Sequence, residues 1–180
     1  ETLNSGTNTI TFTGIKAGNY TITVKYGETE NYTSAINNKV KVSVLKATPT
    51  ITVNTENVIY PGDLIVNISS DVTGKYTIKI GNQQKEIDLT ANVIGNVTFT
   101  GLSAKEYTIN VTYTETENYT SATNNTVKAN IQKATPTITV KAENVIYPEN
   151  LIVNVISNVD GRYTVKVGDK EQDINLIANV

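Results

Sequence analysis

Apolar and polar side chains alternate with a period of two along most of the chain, and no stretch repeats its apolar residues at helical spacing. In residues 47–133 the alternation marks seven short strands. Ile51 and Val53 alternate with threonine on the first, Leu64, Val66 and Ile68 mark the second, and Tyr76, Ile78 and Ile80 the third. Ile87 and Leu89 mark a fourth, Val97 and Phe99 a fifth, Tyr107, Ile109, Val111 and Tyr113 a sixth, and Val127, Ala129 and Ile131 the last. Successive strand residues point to opposite faces, so the pattern predicts sheets with one wet and one buried face. Turn-forming residues separate the strands at ~8–12-residue spacing, as in a β-sandwich.

Composition supports an all-β fold. Thr (29), Asn (23), Val (20) and Ile (20) supply just over half of the 180 residues. The β-branched types fit a pleated surface better than a helix, and asparagine suits the turns between strands.

The pattern is repeated. Lys46-Ala47-Thr48-Pro49-Thr50-Ile51-Thr52-Val53 recurs at 133–140, and Glu28-Thr29-Glu30-Asn31-Tyr32-Thr33-Ser34-Ala35 recurs at 115–122, each at an offset of 87. All ten tyrosines pair at this offset, and residues 1–93 match 88–180 at 52 of 93 positions without a gap. Constant register without insertions predicts one domain copied in tandem. If Lys-Ala-Thr-Pro opens each domain, 47–133 is a complete copy, 1–46 the C-terminal half of a preceding one and 134–180 the N-terminal half of the next. Two explanations follow for the halves: a window cut from a longer array, which is preferred, or a subunit whose halves complement those of neighbouring chains.

Ile15-Lys16-Ala17-Gly18-Asn19-Tyr20, leading into an alternating strand, resembles the tyrosine corner of immunoglobulin-like sandwiches. Tyr20 and its copy Tyr107 are the expected corner residues, although Lys105 replaces the glycine in the second copy. With the linker Lys-Ala-Thr-Pro-Thr-Ile-Thr-Val, the Tyr-Pro steps at Tyr60-Pro61 and Tyr147-Pro148 and the Glu-Asn-Tyr-Thr-Ser-Ala loop, the chain resembles the bacterial-type immunoglobulin-like repeats of large surface proteins. It is most similar to those of the adhesin-like proteins of methanogenic archaea. The resemblance implies tandem immunoglobulin-like seven-stranded sandwiches in an extracellular, cell-surface stalk without enzyme activity. The partners it implies are neighbouring repeats, or identical chains in a fibre.

Charge and residue types narrow the chemistry further. There is no Cys, His, Met or Trp, which removes thiol and imidazole nucleophiles and nearly every zinc, copper or iron site. A net charge of −2 lacks the basic footprint of a nucleic-acid binder, and no apolar run reaches the ~18 residues of a membrane span. No cofactor is expected. Seven Asn-x-Ser/Thr sequons, at Asn19, Asn31, Asn67, Asn96, Asn110, Asn118 and Asn124, are candidates for N-glycosylation on an exported protein, although a chain so rich in Asn and Thr produces several by chance. Glu28, Glu30 and Asn31, with their copies, offer oxygen ligands of the kind calcium takes, but two glutamates two residues apart do not converge, and a solvated loop is the plainer reading. A Lys–Asn crosslink would need a buried lysine beside an acid, and no spacing singles out such a trio. Tyr26, Tyr32, Tyr60 and their copies Tyr113, Tyr119 and Tyr147 could line an aromatic surface for cell-surface glycans, or bury their rings at the end of the sandwich with hydroxyls wet, which is the expected case. A module binding glycans or cells through the Glu-Asn-Tyr loops is thus the alternative to a plain spacer.

Overall fold

The computed structural model describes residues 9–178, and these are all-β, with no helix among them. The chain divides into two compact units, Glu1–Gln132 and Lys133–Val180.

The first unit opens with an antiparallel hairpin of β1 (Gly18–Tyr26) and β2 (Ala35–Val44). A sandwich-like body follows, from β3 (Ile51–Thr55), β4 (Val58–Ile59), β5 (Leu64–Ser70), β6 (Gly74–Ile80), β7 (Gln83–Leu89), β8 (Gly95–Phe99), β9 (Glu106–Tyr113), β10 (Ala122–Asn124) and β11 (Lys128–Gln132). One sheet has the order β3-β5-β8; the other runs β4-β11-β9-β6-β7, with β10 also paired to β9. Each of the seven stretches marked by alternation lies in a strand, apart from Val127, which falls just before β11.

The two sheets bury their apolar faces on each other. Ile51, Val53, Leu64, Val66, Ile68, Val97 and Phe99 from the first join Tyr76, Ile78, Ile80, Ile109, Val111, Tyr113, Ala129 and Ile131 from the second in one core cluster. Burying each of the larger side chains contributes roughly 1.5–3 kcal/mol. The β6–β7 hairpin turns on two residues, Gly81 and Asn82, with Gly81 at φ 55°, a conformation that side chains with a Cβ resist.

Two strands lie outside the alternating pattern. The chain leaves the first sheet at Glu56-Asn57, and β4 joins the second in parallel with β11, pairing Val58 with Ile131. Asn57 Oδ1 holds this crossing by accepting the Asn130 N–H at 3.0 Å. β10 is tied to β3 by Asn124, whose carboxamide donates to the Ile51 carbonyl at 2.8 Å.

The second unit contains β12 (Ile138–Ala142) paired with β13 (Val153–Ser157), and β14 (Gly161–Val167) paired with β15 (Lys170–Leu176). By the 87-residue offset these are copies of β3, β5, β6 and β7. Val153, Val155, Val165, Val167 and Ile174 line an open cleft of about 460 Å³. In the first unit the corresponding Val66, Ile68, Ile78 and Ile80 are fully buried in the core that β8, β9 and β11 complete. The β1–β2 hairpin likewise exposes Tyr20, Ile22, Val24, Val40 and Val42, whereas Tyr107, Ile109 and Val111, at the matching positions of β9, are buried.

Candidate functional site

The sequence motif richest in possible chemistry is the octapeptide Glu115–Ala122, and the fold places most of it on the loop between β9 and β10. Tyr113, at the end of β9, anchors the loop from inside: its ring lies 5.1 Å from that of Tyr76 and 6.4 Å, edge to face, from that of Tyr119. The Thr116 N–H donates to the Tyr119 carbonyl at 2.9 Å and closes the turn. The hydroxyls of Tyr113 and Thr116 are 3.4 Å apart.

Two other segments meet this loop. The linker Lys46-Ala47-Thr48 lies along it: Lys46 Nζ donates to Glu115 Oε1 at 2.5 Å and to the Thr116 carbonyl at 2.7 Å. The Ala47 N–H donates to the Asn118 carbonyl, and the Thr120 N–H donates to the Ala47 carbonyl, at 3.1 and 2.9 Å. The hydroxyls of Thr48 and Thr120 are 2.8 Å apart. From the preceding hairpin's side, Lys16 Nζ donates to Glu117 Oε2 at 2.8 Å and the Ala17 N–H to Asn118 Oδ1 at 2.9 Å. Hydrogen bonding and charge attraction from Glu117 raise the Lys16 ammonium above the ordinary lysine range.

This arrangement bears on the calcium reading. Glu115 and Glu117 each face a lysine instead of each other, and no group of three acidic, His or Cys side chains among the described residues could hold a metal. The loop's polar groups are organised for contact between protein segments.

The sequon asparagines fall into different surroundings. Asn31 is exposed on its loop. Asn67 and Asn96 are exposed on the outer face of the three-stranded sheet, directly opposite each other, with Asn54 across from Asn67 on the other side. Asn19, on β1, accepts a hydrogen bond from the Ser43 hydroxyl at 2.5 Å. Asn110 is half-buried on β9, opposite Lys79. Asn118 and Asn124 are also half-buried, and their side chains are engaged in the loop contact and the β10–β3 tie described above.

The tyrosines divide in an unexpected way. The Tyr20 hydroxyl donates to the Lys16 carbonyl, four residues back, at 2.8 Å. Tyr107 is buried with Lys105 Nζ 4.9 Å from its ring centre, and no hydrogen bond from its hydroxyl is found among the described residues. The same four-residue bond does recur at Tyr76, to the Val72 carbonyl, and at its copy Tyr163, to the Val159 carbonyl, each at 2.7 Å. Sequence reasoning missed this pair, although a Val-x-x-x-Tyr spacing present in the two copies was there to be read. Of the aromatic positions expected to bury their rings, Tyr113 is buried and Tyr119 partly so, whereas Tyr26, Tyr32, Tyr60 and Tyr147 are exposed, because no second sheet covers them in the way the core of the sandwich body covers Tyr113.

No lysine is buried among the described residues, so an amine desolvated for crosslinking is missing there. No helix among them is long and apolar enough to cross a membrane. Compared with known proteins, the chain matches no family model and no curated protein.

Proposed function

We propose that the chain consists of tandem immunoglobulin-like β-sandwiches, one every 87 residues, serving as an extracellular stalk or fibre like those of adhesin-like surface proteins. The observation that carries this reading is the joint. A linker and a turn from outside the sandwich body are hydrogen-bonded to the Glu115–Ala122 loop, and loop and linker recur unchanged at the repeat offset. A spacer needs such a joint, because each bead must limit the angle of the next. Pro49 adds to this by fixing one backbone angle in the linker.

The parallel β4–β11 pairing and the tyrosines bonded four residues back support the immunoglobulin-like reading of the sandwich. The glycan-binding alternative is weaker on the same observation. A recognition loop would keep its carboxylates and carboxamide for a ligand, whereas Lys46, Lys16 and Ala17 already take those of Glu115, Glu117 and Asn118. A second reading, polymerisation by strand complementation, has the uncovered apolar faces of β1–β2 and of the second unit in its favour.

The test of the stalk is location and size. Antibodies raised against the sandwich should label intact source cells, and the polypeptide released from them should be many times larger than 19.5 kDa. Labelling only after permeabilisation would overturn the surface assignment. Filaments growing from the purified 180-residue chain would favour complementation instead.

A further inference from the structure

One row of side chains on β7 breaks the alternating pattern. The row that carries the core residues Ile87 and Leu89 continues through Lys85 and Gln83, and across the β6–β7 ladder these two stand opposite Ile78 and Ile80. Ile78 and Ile80 are fully buried, so apolar residues are expected at 83 and 85 as well. The polar pair is explained by the neighbouring strand of the other sheet. β8 pairs with β5 on one side, and among the described residues no strand pairs with it on the other. There Lys85 Nζ donates to the Thr98 carbonyl at 2.6 Å, and Gln83 Nε2 donates to the Thr100 carbonyl at 2.8 Å. The Lys85 ammonium also stands 5.4 Å from the centre of the Phe99 ring. At the start of β8, Ile87 and Leu89 press on the backbone itself: a Cβ on Gly95 would lie 2.7 Å from Ile87 Cδ1 and 2.6 Å from Leu89 Cδ2. From Gly95 to Thr100, side chains of β7 thus take the place of a paired strand. All of these residues lie inside the complete copy, 47–133.

We infer that Gln83 and Lys85 guard the β8 edge against strand addition, and that the partner they exclude is the same edge of a second copy of this chain, which would pair antiparallel across a two-fold axis. The segment is one that pairs readily when open. No charged residue and no proline occurs from Leu89 to Ala104, and Val97-Thr98-Phe99-Thr100 consists of β-branched and aromatic residues. A long polar side chain on the inward row of an edge strand blocks such pairing by occupying the carbonyls that a new strand needs. The second unit keeps the chemistry. At the 87-residue offset Gln83 and Lys85 become Lys170 and Gln172, the two residue types exchanged, opposite Val167 and Val165. Lysine and glutamine share a long stem that ends in N–H donors, so each position requires a donor and not one particular residue. This role does not depend on the stalk reading, because an open edge pairs wherever two copies meet.

The test follows the edge directly. Thr98 turns its carbonyl to the open side, and in an antiparallel strand its N–H points the same way, so strand addition slows hydrogen exchange of that amide. Variants of the full chain are compared with the natural one by sedimentation velocity and by hydrogen exchange followed by NMR. Gln83→Val with Lys85→Val removes both caps and places strand-forming residues opposite Ile78 and Ile80. Expected is self-association about thirtyfold tighter than that of the natural chain, the worth of two ordinary hydrogen bonds, with Thr98 exchange slowing as the chain concentration rises. Lys85→Met keeps the stem and removes one donor, so it should show the same effect at about fivefold, and it carries the test if the double substitution fails to fold. Gln83→Lys with Lys85→Gln, the order of the second unit, should behave as the natural chain does. The guard is overturned if the uncapped variants associate no more tightly than the natural chain, or do so with Thr98 exchange unchanged. An exchanged variant that associates as tightly as the valine one overturns it equally.

Discussion

Tyr76→Phe isolates one oxygen atom in the core. The Tyr76 side chain is fully buried, and its hydroxyl donates to the Val72 carbonyl at 2.7 Å. Phenylalanine keeps the ring and its 5.1 Å contact with Tyr113, so the packing contribution is nearly unchanged. What is lost is the hydrogen bond, and the Val72 carbonyl loses its partner inside the protein, a combination that costs about 1–3 kcal/mol. With an unfolding entropy of about 2.1 cal/mol/K per residue and roughly 85 residues in the sandwich, a loss of about 2 kcal/mol lowers Tm by about 11 °C. The assay is calorimetry of the full chain beside Tyr107→Phe, whose hydroxyl has no partner among the described residues and whose removal should change stability by less than about 0.5 kcal/mol. The two substitutions delete the same atom from two largely buried tyrosines. If Tyr107→Phe costs as much as Tyr76→Phe, or Tyr76→Phe melts within about 2 °C of the parent, the division of roles between them is wrong.

Other consequences are equally direct. The Asp71 carboxylate accepts the Thr50 N–H at 2.8 Å, and this bond holds its pKa below the ordinary range. Its contribution is therefore fully present above the unfolded carboxylate value and is lost as pH falls through the lower, folded one. Asn158, its copy, makes the same bond to the Thr137 N–H with a group that does not titrate. Asp71→Asn should thus leave neutral-pH stability nearly intact and flatten the acid limb of a denaturation–pH curve; an unchanged limb would sink the assignment. Gly74→Ala would place a Cβ 2.8 Å from Tyr113 Cε2, in a ring packed between Tyr76 and Tyr119, and should cost about 1–3 kcal/mol in urea unfolding. Its counterpart Gly161→Ala, with 3.7 Å to Tyr163, should cost much less. In a glycosylating host, peptide mapping should find sugar on Asn31 and on the Asn67–Asn96 face before Asn118 or Asn124, whose side chains are already engaged; full occupancy at Asn124 would contradict the β10–β3 tie.

The seven main strands were legible because burial on one face writes a period of two into the sequence, as Leu64, Val66 and Ile68 do. β4 and β10 were not, since two or three residues are too few to show a period. Side chains far away in sequence hold them instead: Asn57 meets Asn130, and Asn124 meets Ile51, each 73 residues apart. The Glu-Asn-Tyr motif stood out as a repeat, yet its identity could not say what it touches. The Lys16–Glu117 contact spans 101 residues and joins a turn to a loop that no local pattern connects. The bond from the Tyr20 hydroxyl to the Lys16 carbonyl lies where the lead-in residues pointed. At Tyr76 the same bond also goes to a backbone carbonyl, and its mark in the sequence is the Val72-x-Gly74-x-Tyr76 spacing repeated at Val159, Gly161 and Tyr163.

The differences between copies also follow from what each residue touches. On the outer face, Lys75 pairs with Glu86 while its copy Arg162 pairs with Asp173, so the two partners changed together and the charges stayed. In the core, Ile68, Ile78 and Ile80 become valines, each a loss of one methylene. An exposed ion pair contributes about 0–1 kcal/mol and an Ile-to-Val change costs about 0.5–1.5 kcal/mol, so such sites can drift. The octapeptide and the linker have not drifted at all. Solvation alone would not hold an exposed loop such as Glu28–Ala35 to eight unchanged residues, because many polar sequences satisfy water equally well. A surface that must fit other segments of the chain is held by geometry: the side chains of Glu115, Asn118 and Thr120 meet Lys46 Nζ, the Ala17 N–H and the Thr48 hydroxyl, and replacing any one removes a contact that its neighbours cannot supply.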